Sequence, residues 1–221
     1  MSSPKSGPLK RIIFGTTPFT TKLNFKYRNS FHNAYISIAN KNLFVQPAHI
    51  VKYCACKLSN QINPSEIVLE KGIFNQPLIN CNKPLVQISI SHFDIIYGCL
   101  AFFEHFPMAI DIEGIDNVKA QSVKSQLTEF EIKNFELNSI NLTALWTAKE
   151  AVSKVCRSGL FSDFKIFGVS KMARENNIIY CNFENFSHLQ SVSYVLEHLV
   201  VTIVFAKDAK FINLKNNFYN D

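Results

Sequence analysis

Glycine is scarce, with seven in 221 residues, and none falls into a GxGxxG or GxxxxGK[ST] arrangement. That excludes the backbone phosphate cradles of P-loop and dinucleotide-binding folds. The six cysteines (54, 56, 81, 99, 156 and 181) include no CxxC pair and no tight cluster with histidine, which argues against a structural zinc site. Most sit in apolar segments such as YCAC and YGCL, where reduced thiols pack as small core residues. Long apolar runs are missing too. The longest, IIYGCLAFF (95–103) and LVVTIVFA (199–206), fall far short of the roughly twenty residues that a membrane-spanning helix needs. The N-terminus MSSPKSGPLKRIIFG lacks the apolar stretch of a secretory signal. A cytoplasmic chain with no membrane partner is the expectation. There is no basic arm either: the net charge of +6 is scattered over short clusters such as KSGPLKR and KLNFKYR. An anionic partner fits this charge, but nucleic acid is not the expected one.

What the chain does have is apolar content. At 47% hydrophobic and 18% charged it describes a packed domain, not a disordered chain, with twenty phenylalanines and a single tryptophan. LKRIIFG (9–15) reads as a strand, TTKLNFKYRNSFHNAY (20–35) as a polar, basic stretch, and PAHIVKYCACKLSNQ (47–61) as a helix opened by proline. NPSEIVLEKG reads as a turn into a short strand and FNQPLINCNKPLVQ as a loop. LVQISISH (85–92) and IIYGCLAFF make a hairpin. After a break near 104–107, FPMAIDIEGID (106–116) is a strand and QLTEFEIKNFEL (126–137) a helix with Thr128 and Glu131 at capping-box spacing. LTALWTAKEAVSKVCRSG (142–159) is a longer helix ended by glycine. KIFGVSKM, NNIIYCNF and SYVLEHLVVTIVFAK are strand-like, and KFINLKNNFYND is a polar tail. With no βαβ alternation, the expected class is α+β: two similar subdomains, 1–105 and 106–221, each an antiparallel sheet packed with helices.

AIDIEGID puts Asp111 and Glu113 on one face of a strand, with Ile110 and Ile112 turned the other way into a core. Two close carboxylates repel unless a cation or solvent intervenes, and hard cations such as Mg²⁺ are held by carboxylates together with substrate phosphates. In WTAKEAVSK, Glu150 and Lys154 lie one helical turn apart. An exposed pair at that spacing contributes only about 0.3–0.5 kcal/mol. If this helix packs beside the strand, however, Glu150 completes a three-carboxylate site. SISHF adds Ser91 and His92 at the end of the preceding hairpin.

The ordered set SISH, AIDIEGID, WTAKEAVSK and SGLF resembles the 4′-phosphopantetheinyl transferases, in particular the long, monomeric surfactin-activator type, over roughly residues 85–206. The resemblance implies transfer of phosphopantetheine from coenzyme A to a serine of an acyl or peptidyl carrier protein, with 3′,5′-ADP released and the active site between the two subdomains. It implies that Asp111, Glu113 and Glu150 bind Mg²⁺ or Mn²⁺, and that Glu150 takes the serine proton. Lys154 would stabilise or protonate the departing nucleotide, Ser91 and His92 would contact coenzyme A phosphates, and Lys149 would contact phosphate or balance charge. Glu131 matches a glutamate placed near the site in that family and equally reads as a helix cap. Carrier proteins are acidic around the modified serine, which fits a basic enzyme. Their expected docking segment is roughly 116–135.

The first half departs from the pattern. Gln76 stands where the family has a lysine, Ala109 and Phe93 replace a glycine and a serine, and the stretch NLFVQPAHIVKYC has no arginine. Two alternatives stay open: a degenerate homologue that binds carrier or coenzyme A without turnover, and a metal-dependent nuclease built on Asp111 and the ExK of Glu131 and Lys133.

Overall fold

The computed structural model describes residues 19–40, 47–59, 63–80, 85–115, 120–159 and 162–211. The strand expected over 9–15 lies outside them. Two five-stranded antiparallel sheets are stacked with a helix on each outer face. The first sheet contains β1 (Phe19–Tyr27), β2 (Ser30–Asn40), β5 (Val86–Phe93), β6 (Ile96–Phe103) and β12 (Lys210–Phe211), in the order β12-β1-β2-β6-β5. The second contains β7 (Ala109–Gly114), β8 (Val169–Glu175), β9 (Ile178–Phe183), β10 (Leu189–Leu196) and β11 (Leu199–Ala206), in the order β7-β11-β10-β9-β8. A separate hairpin joins β3 (Val68–Lys71) to β4 (Pro77–Asn80). The α+β expectation of helix-backed antiparallel sheets holds.

Period-two patterning builds the layers. Leu23 and Phe25 of β1, Ile110 and Ile112 of β7, and Tyr194 and Val192 of β10 meet in the core between the sheets. Helix α1 (Pro47–Leu58) lays Ile50, Val51, Cys54 and Ala55 on the outer face of the first sheet. Helix α4 (Ser139–Val155) lays Leu145, Ala148, Ala151 and Val152 on the second. The alanines let this helix approach β7 and β11 closely.

The halves repeat one scheme. β2, α1, β5 and β6 form a strand–helix–hairpin unit with sheet order β2-β6-β5. β7, α4, β10 and β11 form the same unit with order β7-β11-β10. A hairpin is inserted after the helix in both, β3–β4 in the first and β8–β9 in the second. The division we propose is the 105/106 boundary, in the connection between Phe103 and Ala109, with β12 returning to pair with β1.

Several elements differ from the sequence reading. The polar stretch 20–35 is the β1–β2 hairpin, turning at Arg28 with φ 53°. Its exposed lysines alternate with Leu23 and Phe25, and no glycine marks the turn. FNQPLINC contains β4, because its proline falls at the first position of a two-stranded ribbon where no further ladder is needed. SYVLEHLVVTIVFAK is two strands, β10 and β11, split at Glu197 (φ 45°). A short helix α2 (Ala120–Ser125) precedes α3 (Glu129–Asn134). The five described cysteines are free thiols.

The capping box of α3 forms as read: Glu131 N–H donates to Thr128 Oγ1, and Thr128 N–H donates to Glu131 Oε2. The same carboxylate, fully buried, also accepts from Lys149 Nζ at 2.7 Å and from Val169 N–H at 2.7 Å. Burial pulls the Lys149 ammonium below its usual range while Glu131 acts to hold it up. One buried pair thus ties α3, α4 and β8 together. Removing one partner of such a pair leaves the other uncompensated and costs about 3–5 kcal/mol. Glu131→Ala is therefore expected to lower the unfolding free energy in urea by about that amount, and a loss under about 1 kcal/mol would show that the pair is no structural support.

Candidate metal and phosphate site

β5 and β7 are the facing edges of the two sheets. They share no ladder; side chains bridge them instead. Ile110 N–H donates to Ser89 Oγ and Ile112 N–H to Ser91 Oγ, both at 3.1 Å. Lys154 Nζ reaches across from α4 to donate to the carbonyls of Ile90 (3.3 Å) and Ile110 (3.2 Å), one on each edge. These contacts satisfy backbone groups that would otherwise be orphaned at a buried junction.

Asp111 lies at the centre. Ser91 Oγ donates to its Oδ1 at 2.7 Å, and Lys154 Nζ donates to the same oxygen at 2.7 Å. The residue is 1% exposed, and its second oxygen, Oδ2, is buried with no hydrogen-bond partner among the described residues. Glu113 follows on the same strand face, and Glu150 projects from α4. One carboxylate oxygen from each of Asp111, Glu113 and Glu150 lies within 4.8 Å of the other two. Three carboxylates and one ammonium leave this cluster two negative charges in excess when fully ionised. That excess, the all-oxygen donor set and the orphaned Oδ2 fit a hard divalent cation such as Mg²⁺.

Burial pushes the Glu150 carboxyl up to about 7, with the charges of Asp111 and Glu113 adding to the rise and Lys154 opposing it. Burial would pull Lys154 down, but Asp111 and Glu150 more than offset it, so the ammonium stays charged. Its contact with Glu150 is long, at 3.6 Å. One short donation of Lys154 to Asp111 and two longer ones to carbonyls use its full donor capacity.

Two openings flank the cluster. A cleft of about 240 Å³ runs beside Lys154, between β5 and the β3–β4 hairpin, with Gln76, Gln87, Glu104 and Arg157 in its lining. A wider groove of about 570 Å³ starts at Glu113 and passes between α2 and Trp146. Trp146 stacks on Phe164 there, with centroids 4.8 Å apart.

Of the residues singled out in the sequence, the structure brings together Ser91, Asp111, Glu113, Glu150 and Lys154. Two others lie outside the cluster. His92 is exposed on β5 with its ring stacked on Tyr97. Lys149 is fully buried against Glu131, so Glu131 and Lys149 form a structural pair beside the cluster. The arrangement removes the support for the nuclease alternative: Glu131 and Lys133 lie on helix α3, not on a strand beside Asp111, and both Glu131 oxygens are already bonded. Sequence reasoning did not find Ser89, or the buried hydroxyl string of Thr147, Thr202 and Ser193 beneath the site. The signal was available, since Thr202 interrupts the apolar run VVTIV directly across from Asp111.

Residues 107–204 match the model of the 4′-phosphopantetheinyl transferase superfamily. A comparison with curated proteins gives no match. The matched segment carries all three carboxylates and Lys154, while Ser91 and most of the cleft lie before it. No helix among the described residues is long and apolar enough to cross a membrane.

A carboxyl whose folded-state pKa is raised loses stabilisation as pH climbs from its ordinary value through the raised one. Without divalent ions, Glu150 is thus expected to lower the melting temperature as pH rises from about 5 to 8. A bound cation needs the ionised form, so the gain on adding Mg²⁺ is expected to be larger at pH 8 than at pH 6. Thermal melts with and without Mg²⁺ test this. Equal gains at both values, or a Glu150→Gln variant with an unchanged profile, would contradict it.

Proposed function

We propose that the protein transfers 4′-phosphopantetheine from coenzyme A to a serine hydroxyl of an acidic carrier protein. The observation that carries this reading is the orphaned, buried Oδ2 of Asp111, placed among Glu113, Glu150 and Lys154 in the segment that matches the 4′-phosphopantetheinyl transferase superfamily. In the reaction the serine oxygen bonds to the phosphorus that carries pantetheine. The bond from that phosphorus to the bridging oxygen breaks, and 3′,5′-ADP leaves with the electron pair. Asp111, Glu113 and Glu150 would hold Mg²⁺ (or Mn²⁺), which neutralises pyrophosphate charge. Glu150, which the cation would keep ionised, is placed beside Asp111 and Lys154 to accept the serine proton, directly or through a water it holds. Lys154 exchanges its longer carbonyl contacts for the leaving phosphate and stabilises its charge.

The cleft beside Lys154 takes the donor, and His92, exposed on β5, is available to a phosphate. Ser91 acts through Asp111, and Lys149 supports α4 from beneath. The groove from Glu113 past α2 faces the carrier, within the described part of the 116–135 segment. Both halves of one chain build the site, Ser91 from the first and the acidic group from the second, so a monomer suffices.

Mass spectrometry of a purified apo carrier incubated with the protein, coenzyme A and Mg²⁺ tests this directly. A gain of one phosphopantetheine unit, abolished by EDTA, is expected. Glu150→Ala and Lys154→Ala should each lower kcat/KM by about 10²–10³-fold, the scale for losing one charge-stabilising group. Coenzyme A binding without transfer to carriers of several pathways would favour the degenerate, non-catalytic alternative. Absence of coenzyme A binding would overturn the reading.

A further inference from the structure

Helix α4 ends in a tight reversal. Cys156 is its last cap residue, Arg157 N–H donates to the carbonyl of Lys154 at 3.1 Å, and Ser158 N–H donates to that of Ser153 at 3.0 Å. This is the Schellman pattern, whose left-handed position is usually glycine. Here that position is Arg157, at φ 56°. An L side chain is strained in this conformation, and glycine is available two residues on, where Gly159 adopts φ 54°. Strain of this kind persists where surrounding structure or function holds it.

Arg157 has a use for its position. Its residue lines the cleft beside Lys154, three residues along the same chain. Among the described residues, Lys154 and Arg157 are the two cations of that lining, Glu104 is its carboxylate, and Gln76 and Gln87 are neutral. Lys154 already spends its three donations on Ile90, Ile110 and Asp111. Arg157 is exposed and makes no side-chain hydrogen bond or ion pair among the described residues. A cleft placed to take a phosphorylated ligand thus has one arginine in its lining with no other commitment among the described residues, the group best shaped for bidentate phosphate contact.

We propose that Arg157 is a phosphate-binding residue for the donor's nucleotide end, and that the strained helix terminus is kept to place its guanidinium in the cleft. This rests on the transferase reading only in taking the cleft as the donor's. It also supplies a basic group on a cleft where Gln76 stands in place of the lysine expected from the family pattern.

The test exploits opposite signs. Arg157→Gly removes the side chain and relieves the backbone, so its melting temperature is expected to rise by about 2–4 °C. Its affinity for adenosine 3′,5′-bisphosphate, measured by calorimetry, is expected to fall at least about tenfold, the scale of one charge-assisted contact. Arg157→Lys keeps the charge and the strain, so its melting temperature should match the wild type while its affinity lies between the other two. Arg157→Gly binding as tightly as the wild type would overturn the proposal, as would a wild type that does not bind the probe. A wild type that binds the probe through Arg157 yet modifies no carrier would sustain the proposal and count against the transferase reading alone.

Discussion

The site depends on how one oxygen of Asp111 is occupied. Ser91 from one sheet edge and Lys154 from the helix behind the other both donate to Oδ1. This fixes the carboxylate plane and leaves Oδ2 buried and bare. The three residues come from β5, β7 and α4, so the contact exists only when the two sheets are stacked and α4 is seated. Ser89, Ser91 and Lys154 also satisfy the backbone groups of two edge strands that never form a ladder. The clamp that joins the halves is thus the same clamp that shapes the acidic pocket, and the strain of burying a charge is offset locally by short, charge-assisted bonds.

Electrostatics follow from that arrangement. Burial, with the charges of Asp111 and Glu113 adding to it, raises the Glu150 carboxyl to about 7 in the metal-free site. Lys154 gains from the same neighbours and remains a cation. The same environment thus favours the protonated form of both groups, which leaves Glu150 neutral more readily and Lys154 a cation. The buried Glu131–Lys149 pair plays a different part. It sits one helix position from Glu150, shares the KE motif, and holds the α4 backbone in place without entering the pocket.

The cluster of three carboxylates and Lys154 was legible because each residue type had a reason at its spacing. Asp111 and Glu113 share a strand face while Ile110 and Ile112 mark the core, and Glu150 and Lys154 share a helix face. The paired role of Lys149 was not legible, since a lysine beside a glutamate in a motif reads as a ligand-facing charge. Only burial against Glu131 distinguishes the two. Ser91 was picked out for phosphate contact, yet its hydroxyl turns inward to Asp111, because on β5 the serines face the β7 edge while the isoleucines face α1. Three hairpins were not legible: those at Arg28 and Glu197 turn on non-glycine residues in the left-handed region, and β3–β4 hides its second strand behind a proline. The repeated strand–helix–hairpin scheme was visible only in topology, since the two copies place different residues on equivalent layers.

The central claim is that Asp111 Oδ2 is a ligand position prepared by its neighbours. A crystal soaked in Mn²⁺ and measured at a wavelength where manganese scatters anomalously tests it most directly. The account predicts one strong peak in direct coordination with Asp111 Oδ2 and with oxygens of Glu113 and Glu150, with Ser91 still bonded to Oδ1. A map with no peak there at saturating Mn²⁺, or one whose ion bypasses Asp111, would contradict it.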